Sequence, residues 1–312
     1  MTKEKILEDP AAVDGLKLWD EILKAIVDVM PSQLFPLFKE VYGREYSKDT
    51  PIILLGTETS SFWEGGDSPP NSTFMDISLL VADTDYYHLE CQMKNNREMT
   101  IRMFAYDVHF AITHTRTTDE NTGEITLHFP HSVVIYPEQN SAMQEHLQCR
   151  VVFQDNSEHV YKIPTVRVQS YSLEEIRRKH LTLLIPYSIL RLRPRLKPNN
   201  KQKLTKQELT VFVKEAILVL REEMEEGYLT EQEYHDYIRL FKFAADRVLA
   251  KHPQLQEEVK HMTERWLKLP SEIRAELERE NAKQRAEIAE KDAEILRLQE
   301  MISQLTAEKA TP

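Results

Sequence analysis

Two runs of strand character with a short connector between them constrain this chain most. Phe74–Val81 and Tyr86–Gln92 read as strands, and Ala82–Asp85 joins them as a turn-like link. Strand side chains alternate between faces, so Tyr86, His88, Glu90 and Gln92 point one way and Tyr87, Leu89 and Cys91 the other. In the first run Asp76 shares a face with Phe74, Ser78 and Leu80, opposite Met75, Ile77, Leu79 and Val81. A hairpin brings Asp76 and Glu90 close if the two faces coincide. One reading sets both acids on the solvated face of an edge hairpin. The other gives them a shared cation, because two buried carboxylates repel and are costly to desolvate. Two carboxylates with waters and a phosphate suit Mg²⁺, which keeps much of its water shell.

Around this hairpin the order of elements predicts an α/β or α+β domain ending near Leu190. Ala11 to Tyr42 is helical in pattern, with Leu16, Trp19, Leu23, Ile26 and Met30 at steps of three and four, and Pro31 and Pro36 as breaks. Ile52–Leu55 reads as a strand, followed by a loop rich in Gly, Pro, Ser and Asn. Met99 to about Thr115 is apolar nearly all round, as expected of a helix packed on a sheet. Ser132–Tyr136, Gln148–Phe153 and Val160–Val168 are strand-like. Capping boxes at Ser172/Glu175, Thr205/Glu208 and Thr230/Glu233 open helices, and Gly227 marks a helix stop. The predicted division is 1–190 for the α/β domain, 191–206 for a basic linker, 207–268 for a helical region and 269–309 for a coiled coil.

The coiled coil rests on heptads. Ile288, Ile295 and Ile302 repeat every seven residues, with Leu298 and Leu305 three behind the last two. Leu277 then falls at d and Asn281 at a, the pattern of a parallel dimer, while Gln284 and Lys291 at d weaken it. One long solvated helix is the alternative to self-association.

Charge divides the chain. Residues 1–190 hold 17 Lys and Arg against 28 Asp and Glu, which accounts for the whole net charge of −11. That argues against a broad basic nucleic-acid surface there. Residues 191–206 carry seven cations and no acid, so Lys201 and Lys203 are candidates for phosphate contact, against a plain solvated linker. No apolar run of about 18 residues is present, so no membrane span is expected. The start MTKEKILEDP lacks an apolar signal region, and Cys91 and Cys149 are too few for a disulfide framework or a zinc site. A reduced cytoplasm is the expected setting. His109, His114, His128 and His131 have no zinc-ligand spacing, and no glycine-rich phosphate loop is present.

The segment MDISLLVADTDYYHLECQMKNNREMTIRMFAYDVHFAI resembles the Rpn family of recombination-promoting nucleases and putative transposases, part of the PD-(D/E)XK nuclease superfamily. The matching elements are Asp76, the Glu90–Cys91–Gln92 tripeptide, and the helix carrying Ile101, Arg102, Met103, Tyr106 and Asp107. Weaker likeness continues through Ser132–Glu138, Val160–Ile176 and Leu181–Arg191, spanning roughly residues 50–191. The resemblance implies a restriction-endonuclease-like α/β core cutting DNA with Mg²⁺ or Mn²⁺. Asp76 and Glu90 would hold the metal, which lowers the pKa of a bound water and offsets charge on the scissile phosphate. Gln92 would stand where the superfamily has lysine, orienting water or phosphate without supplying charge. Glu58 and Glu40 are candidates for an additional acid. Arg102 would touch phosphate or tether Glu90, against a structural ion pair with Asp107 or another acid. The rival from a different class is a non-catalytic interaction protein that keeps the nuclease fold and works through its helical tail.

Overall fold

The computed structural model describes residues 18–55, 77–93, 98–138, 143–266 and 291. Helix α1 (Leu18–Val29) buries Leu18, Trp19, Ile22, Leu23, Ile26 and Val27, one apolar stripe at helical spacing. Pro31 opens a 3-10 turn that ends this run, but Pro36 falls in the first turn of α2 (Phe35–Tyr42). A proline there forgoes an N–H that has no partner anyway, so Pro36 starts a helix rather than breaking one.

Besides a two-stranded ribbon, Thr117–Thr118 with Ile125–Thr126, six strands are described: β1 (Ile52–Leu55), β2 (Ile77–Val81), β3 (Asp85–Cys91), β4 (His131–Tyr136), β5 (His146–Val152) and β6 (Glu158–Arg167). They form one sheet in the order β1-β2-β3-β4-β6-β5. The first three run antiparallel, β3 and β4 are parallel, β4 and β6 are parallel, and β5 returns antiparallel on β6. The parallel step from β3 to β4 needs a crossover, and α3 (Met99–Phe110) supplies it. The expected α/β architecture holds at this level.

Each sheet face has its own helical layer. Tyr87 stacks on Phe38 of α2 with ring centroids 3.8 Å apart, so α2 covers the Tyr87–Leu89–Cys91 face. Stacking of this kind adds about 1 kcal/mol beyond burial. Helix α3 covers the other face, packing Met99, Met103, Tyr106 and Phe110 against Val134 and Tyr136. It passes into a π turn at Ala111–Thr115. Its outward side leaves Ile101 61% exposed, so the apolar residues all round the helix mark one packed face plus an apolar outer surface.

The three capping boxes are all formed, opening α4 (Leu173–Arg178), α5 (Lys206–Glu225) and α6 (Glu231–Val248). Gly227, at φ +85, ends α5 in a Schellman turn: its N–H donates to the Met224 carbonyl and that of Tyr228 to the Glu223 carbonyl. A further helix, α7, covers Pro253–Trp266.

The boundaries expected at 190 and 206 fall inside one compact unit. Met1–Thr263 form one unit and Glu264–Pro312 a second. Within the first, Gln33 Nε2 donates to the Tyr228 carbonyl at 3.2 Å and to Glu233 at 3.3 Å, and Thr182 donates back to Gln33 Oε1 at 2.9 Å. Residues 191–206 do not hold two bodies apart. Ile189–Leu196 is a 3-10 helix that buries Ile189, Leu190 and Leu192. Its arginines have partners within the chain: Arg191 donates to the Tyr171 carbonyl at 2.6 Å, and at the surface Arg193 pairs with Glu138 and Arg195 with Glu208 at 2.8 Å. Cations without acids in sequence are here met by acids from elsewhere in the fold. The heptad positions, Lys291 excepted, lie outside the described residues. Among the described residues no helix is long and apolar enough to cross a membrane.

Candidate active site

The β2–β3 ladder pairs Ser78 with His88 and Leu80 with Tyr86. Directly paired residues point to the same side, so the two faces read from the sequence do coincide. This is the face under α3. Glu90 stands on it with 2% of its surface exposed. Asp76 and Glu58 lie outside the described residues, Asp76 by one position.

Helix α3 brings its own charge to Glu90. Arg102 Nη2 reaches Glu90 Oε1 at 3.2 Å, and Arg102 Nε donates to the Tyr106 hydroxyl at 3.3 Å. Residues four apart on a helix are neighbours, so Tyr106 lies under the guanidinium, 5.8 Å from its ring centroid. The tether between Arg102 and Glu90 is therefore formed. Gln92 is half-buried just past the end of β3, where its N–H donates to the Ile135 carbonyl at 2.9 Å and keeps the strand beside β4.

Asp107, the last residue of the helix motif, does something else. It is wholly buried and accepts from His88 Nδ1 at 2.7 Å, from Ser132 Oγ at 2.5 Å and from the Tyr161 hydroxyl. One carboxylate thus ties α3 to β3, β4 and β6. Burial, then the nearby Asp107 charge, pushes the Tyr161 phenol far up from its usual value. The His88–Asp107 pair has none of its side-chain surface exposed, which makes it a strut of the layer.

Strand β4 adds a residue that sequence reasoning passed over. Ser132 meets Asp107 and Val134 packs under α3, so by alternation Tyr136 faces the same way. Its ring is 1% exposed and its hydroxyl, buried, meets no hydrogen-bond partner. Burial first, and the Glu90 charge second, push this phenol up to about 12. The Ser132–Tyr136 alternation was visible in sequence. Which face of the sheet it met was not.

The remaining expected residues fall elsewhere. Glu40 sits on α2, over the opposite face, where its carboxylate takes Lys179 at 2.5 Å and the Tyr171 hydroxyl at 3.1 Å. That salt bridge gives it a structural partner away from Glu90. Lys201 and Lys203 are exposed beyond the packed arginines. Cys91 is buried on the α2 face, a core residue as expected, and neither Cys91 nor Cys149 forms a disulfide. Among the described residues no group of three or more His, Cys, Asp or Glu could hold a metal ion. Among the described residues the candidate cation donors on this face are the Glu90 carboxylate and, by strand alternation, the Gln92 amide, where a water-rich Mg²⁺ site uses one or two carboxylates. No family model, curated protein or solved structure matches this chain.

Proposed function

We propose that the protein is a Mg²⁺-dependent DNA endonuclease with a PD-(D/E)XK-like core, working through Asp76, Glu90 and Gln92. The observation that carries this reading is the β2–β3 register. The ladder ends at Ile77↔Leu89, and Glu90, the next residue of β3, stands on the α3 face against Arg102. A Mg²⁺ or Mn²⁺ ion held there supplies an acidified water and offsets phosphate charge. Asp76 and Glu90 hold the ion, and Gln92 orients the water or the phosphate through its amide. Arg102 fixes the Glu90 carboxylate and lends a positive charge at the rim of the site. Lys201 and Lys203 contact the DNA backbone, and the coiled coil at 269–309 pairs two copies, one site per strand.

A second reading is a non-catalytic interaction protein that acts through its helical tail in the reduced cytoplasm. The −11 charge of residues 1–190 and the engagement of Glu90 by Arg102 favour it. Incubating the full chain with supercoiled plasmid and Mg²⁺, Mn²⁺ or EDTA separates the two. Cleavage with the ions and none with EDTA supports the nuclease. No cleavage under any condition favours the interaction protein.

A further inference from the structure

Tyrosine hydroxyls in this fold are generally engaged. Tyr161 donates to Asp107, Tyr171 to Glu40, Tyr46 to Asp85 and Tyr187 to the Trp19 carbonyl. Tyr136 departs from that pattern at a telling place. Its hydroxyl is buried beside Glu90 with no partner, on the face that carries Arg102 and Glu90. Tyr42 and Tyr237 also have buried hydroxyls without a partner, but the Tyr42 ring packs against Tyr87 and His131 over the other sheet face, and Tyr237 lies on α6. A phenylalanine would fill the Tyr136 space without burying an unmatched polar group, which is unfavourable.

We infer that the Tyr136 hydroxyl is a substrate-contacting donor of the Glu90 site, and that it binds an oxygen of a phosphodiester. The inference rests on the nuclease reading. A tyrosine hydroxyl is protonated at neutral pH, so it donates a hydrogen bond and does not serve as a base. Tyr136 stands two residues on from Val134, which pairs with Glu90, so its unbonded hydroxyl lies on the Glu90 face and is available to a second anionic group. Arg102 and a bound cation would offset the repulsion between that group and Glu90. Among oxyanions, a phosphodiester oxygen presents lone pairs to both a cation and a hydroxyl.

The test compares full-length wild type with Tyr136→Phe and Glu90→Gln. Three quantities are read: the melting temperature without ligand, the Kd for a labelled duplex oligonucleotide in Ca²⁺, and the single-turnover cleavage rate in Mg²⁺. The tyrosine ring carbons of wild type and Tyr136→Phe are also followed by NMR as the duplex and Ca²⁺ are added. Tyr136→Phe should melt no lower than wild type, since no group among the described residues holds the hydroxyl. Its Kd should rise about tenfold, the loss of one hydrogen bond to a charged group, and its rate should fall. A ligand-dependent tyrosine signal should be present in wild type and absent from the variant. If the wild type cleaves and Tyr136→Phe matches it in Kd and rate, this inference fails and the nuclease reading stands. A lower melting temperature for Tyr136→Phe also overturns it, because the hydroxyl then has a structural partner. A wild type that neither binds nor cuts the duplex overturns both.

Discussion

Asp107 holds three elements on one carboxylate, so its removal has a definite consequence. Asp107→Ala strands His88 Nδ1, Ser132 Oγ and the Tyr161 hydroxyl in a layer that excludes water. Each buried unmet donor costs about 1–3 kcal/mol, for a total on the order of 3 kcal/mol or more. Thermal unfolding should fall by roughly 6–12 °C, and a change below about 2 °C would mean the network is not under tension. A smaller effect of opposite sign belongs to the β2–β3 turn. Ala82 adopts φ +52, the left-handed region in which a Cβ crowds the carbonyl. Ala82→Gly should stabilise by about 1 kcal/mol, read as a higher melting temperature. The motif Arg102–Tyr106–Asp107 was legible as a unit, but its division of labour was not. Helical spacing says that these side chains share neighbouring faces. Only the sheet beneath decides that Arg102 meets Glu90 and Asp107 meets His88.

At the scale of elements, α5 carries a titrating contact with the turn before Thr182. His180, at φ +55, stacks on Tyr228 with centroids 3.7 Å apart and bonds Glu223 Oε2 at 2.9 Å. Burial raises the Glu223 carboxyl above its ordinary value of 4.5, opposed by His180 and Arg177 and assisted by Glu226. A group whose folded pKa is raised contributes stability in full below its unfolded value, and loses it as pH rises through the folded one. Glu223→Gln keeps an acceptor for His180 and cannot ionise. Its melting temperature relative to wild type should therefore climb as pH goes from about 4 to 7, and a constant difference would contradict the burial of a charge there. Capping boxes and Gly227 made the ends of α4, α5 and α6 readable, because those signals are local. The fate of residues 191–206 was not readable, because the acids that meet its arginines, distant Glu138 and Glu208 in the next helix, lie outside it.

For the whole molecule, the described fold joins the sheet and the helical region into one unit, while the heptads beyond it carry the proposed pairing of two copies. Removing residues from about Ser271 onward should turn a dimer into a monomer with the first unit still folded, as measured by light scattering. A full-length chain that is monomeric at micromolar concentration would refute that pairing. Net negative charge over residues 1–190 sets the electrostatic problem for a nuclease: phosphate must be drawn in by a few cations and a bound metal rather than by a basic surface. The most direct measurement is plasmid nicking by wild type and Glu90→Gln side by side, each with Mg²⁺, Mn²⁺ and EDTA. Wild type should relax supercoiled DNA with either ion and not with EDTA, and Glu90→Gln should lose that cleavage at least a hundredfold while melting no lower. Equal nicking by the two proteins, or none by wild type with either ion, would contradict a metal-dependent nuclease centred on Glu90.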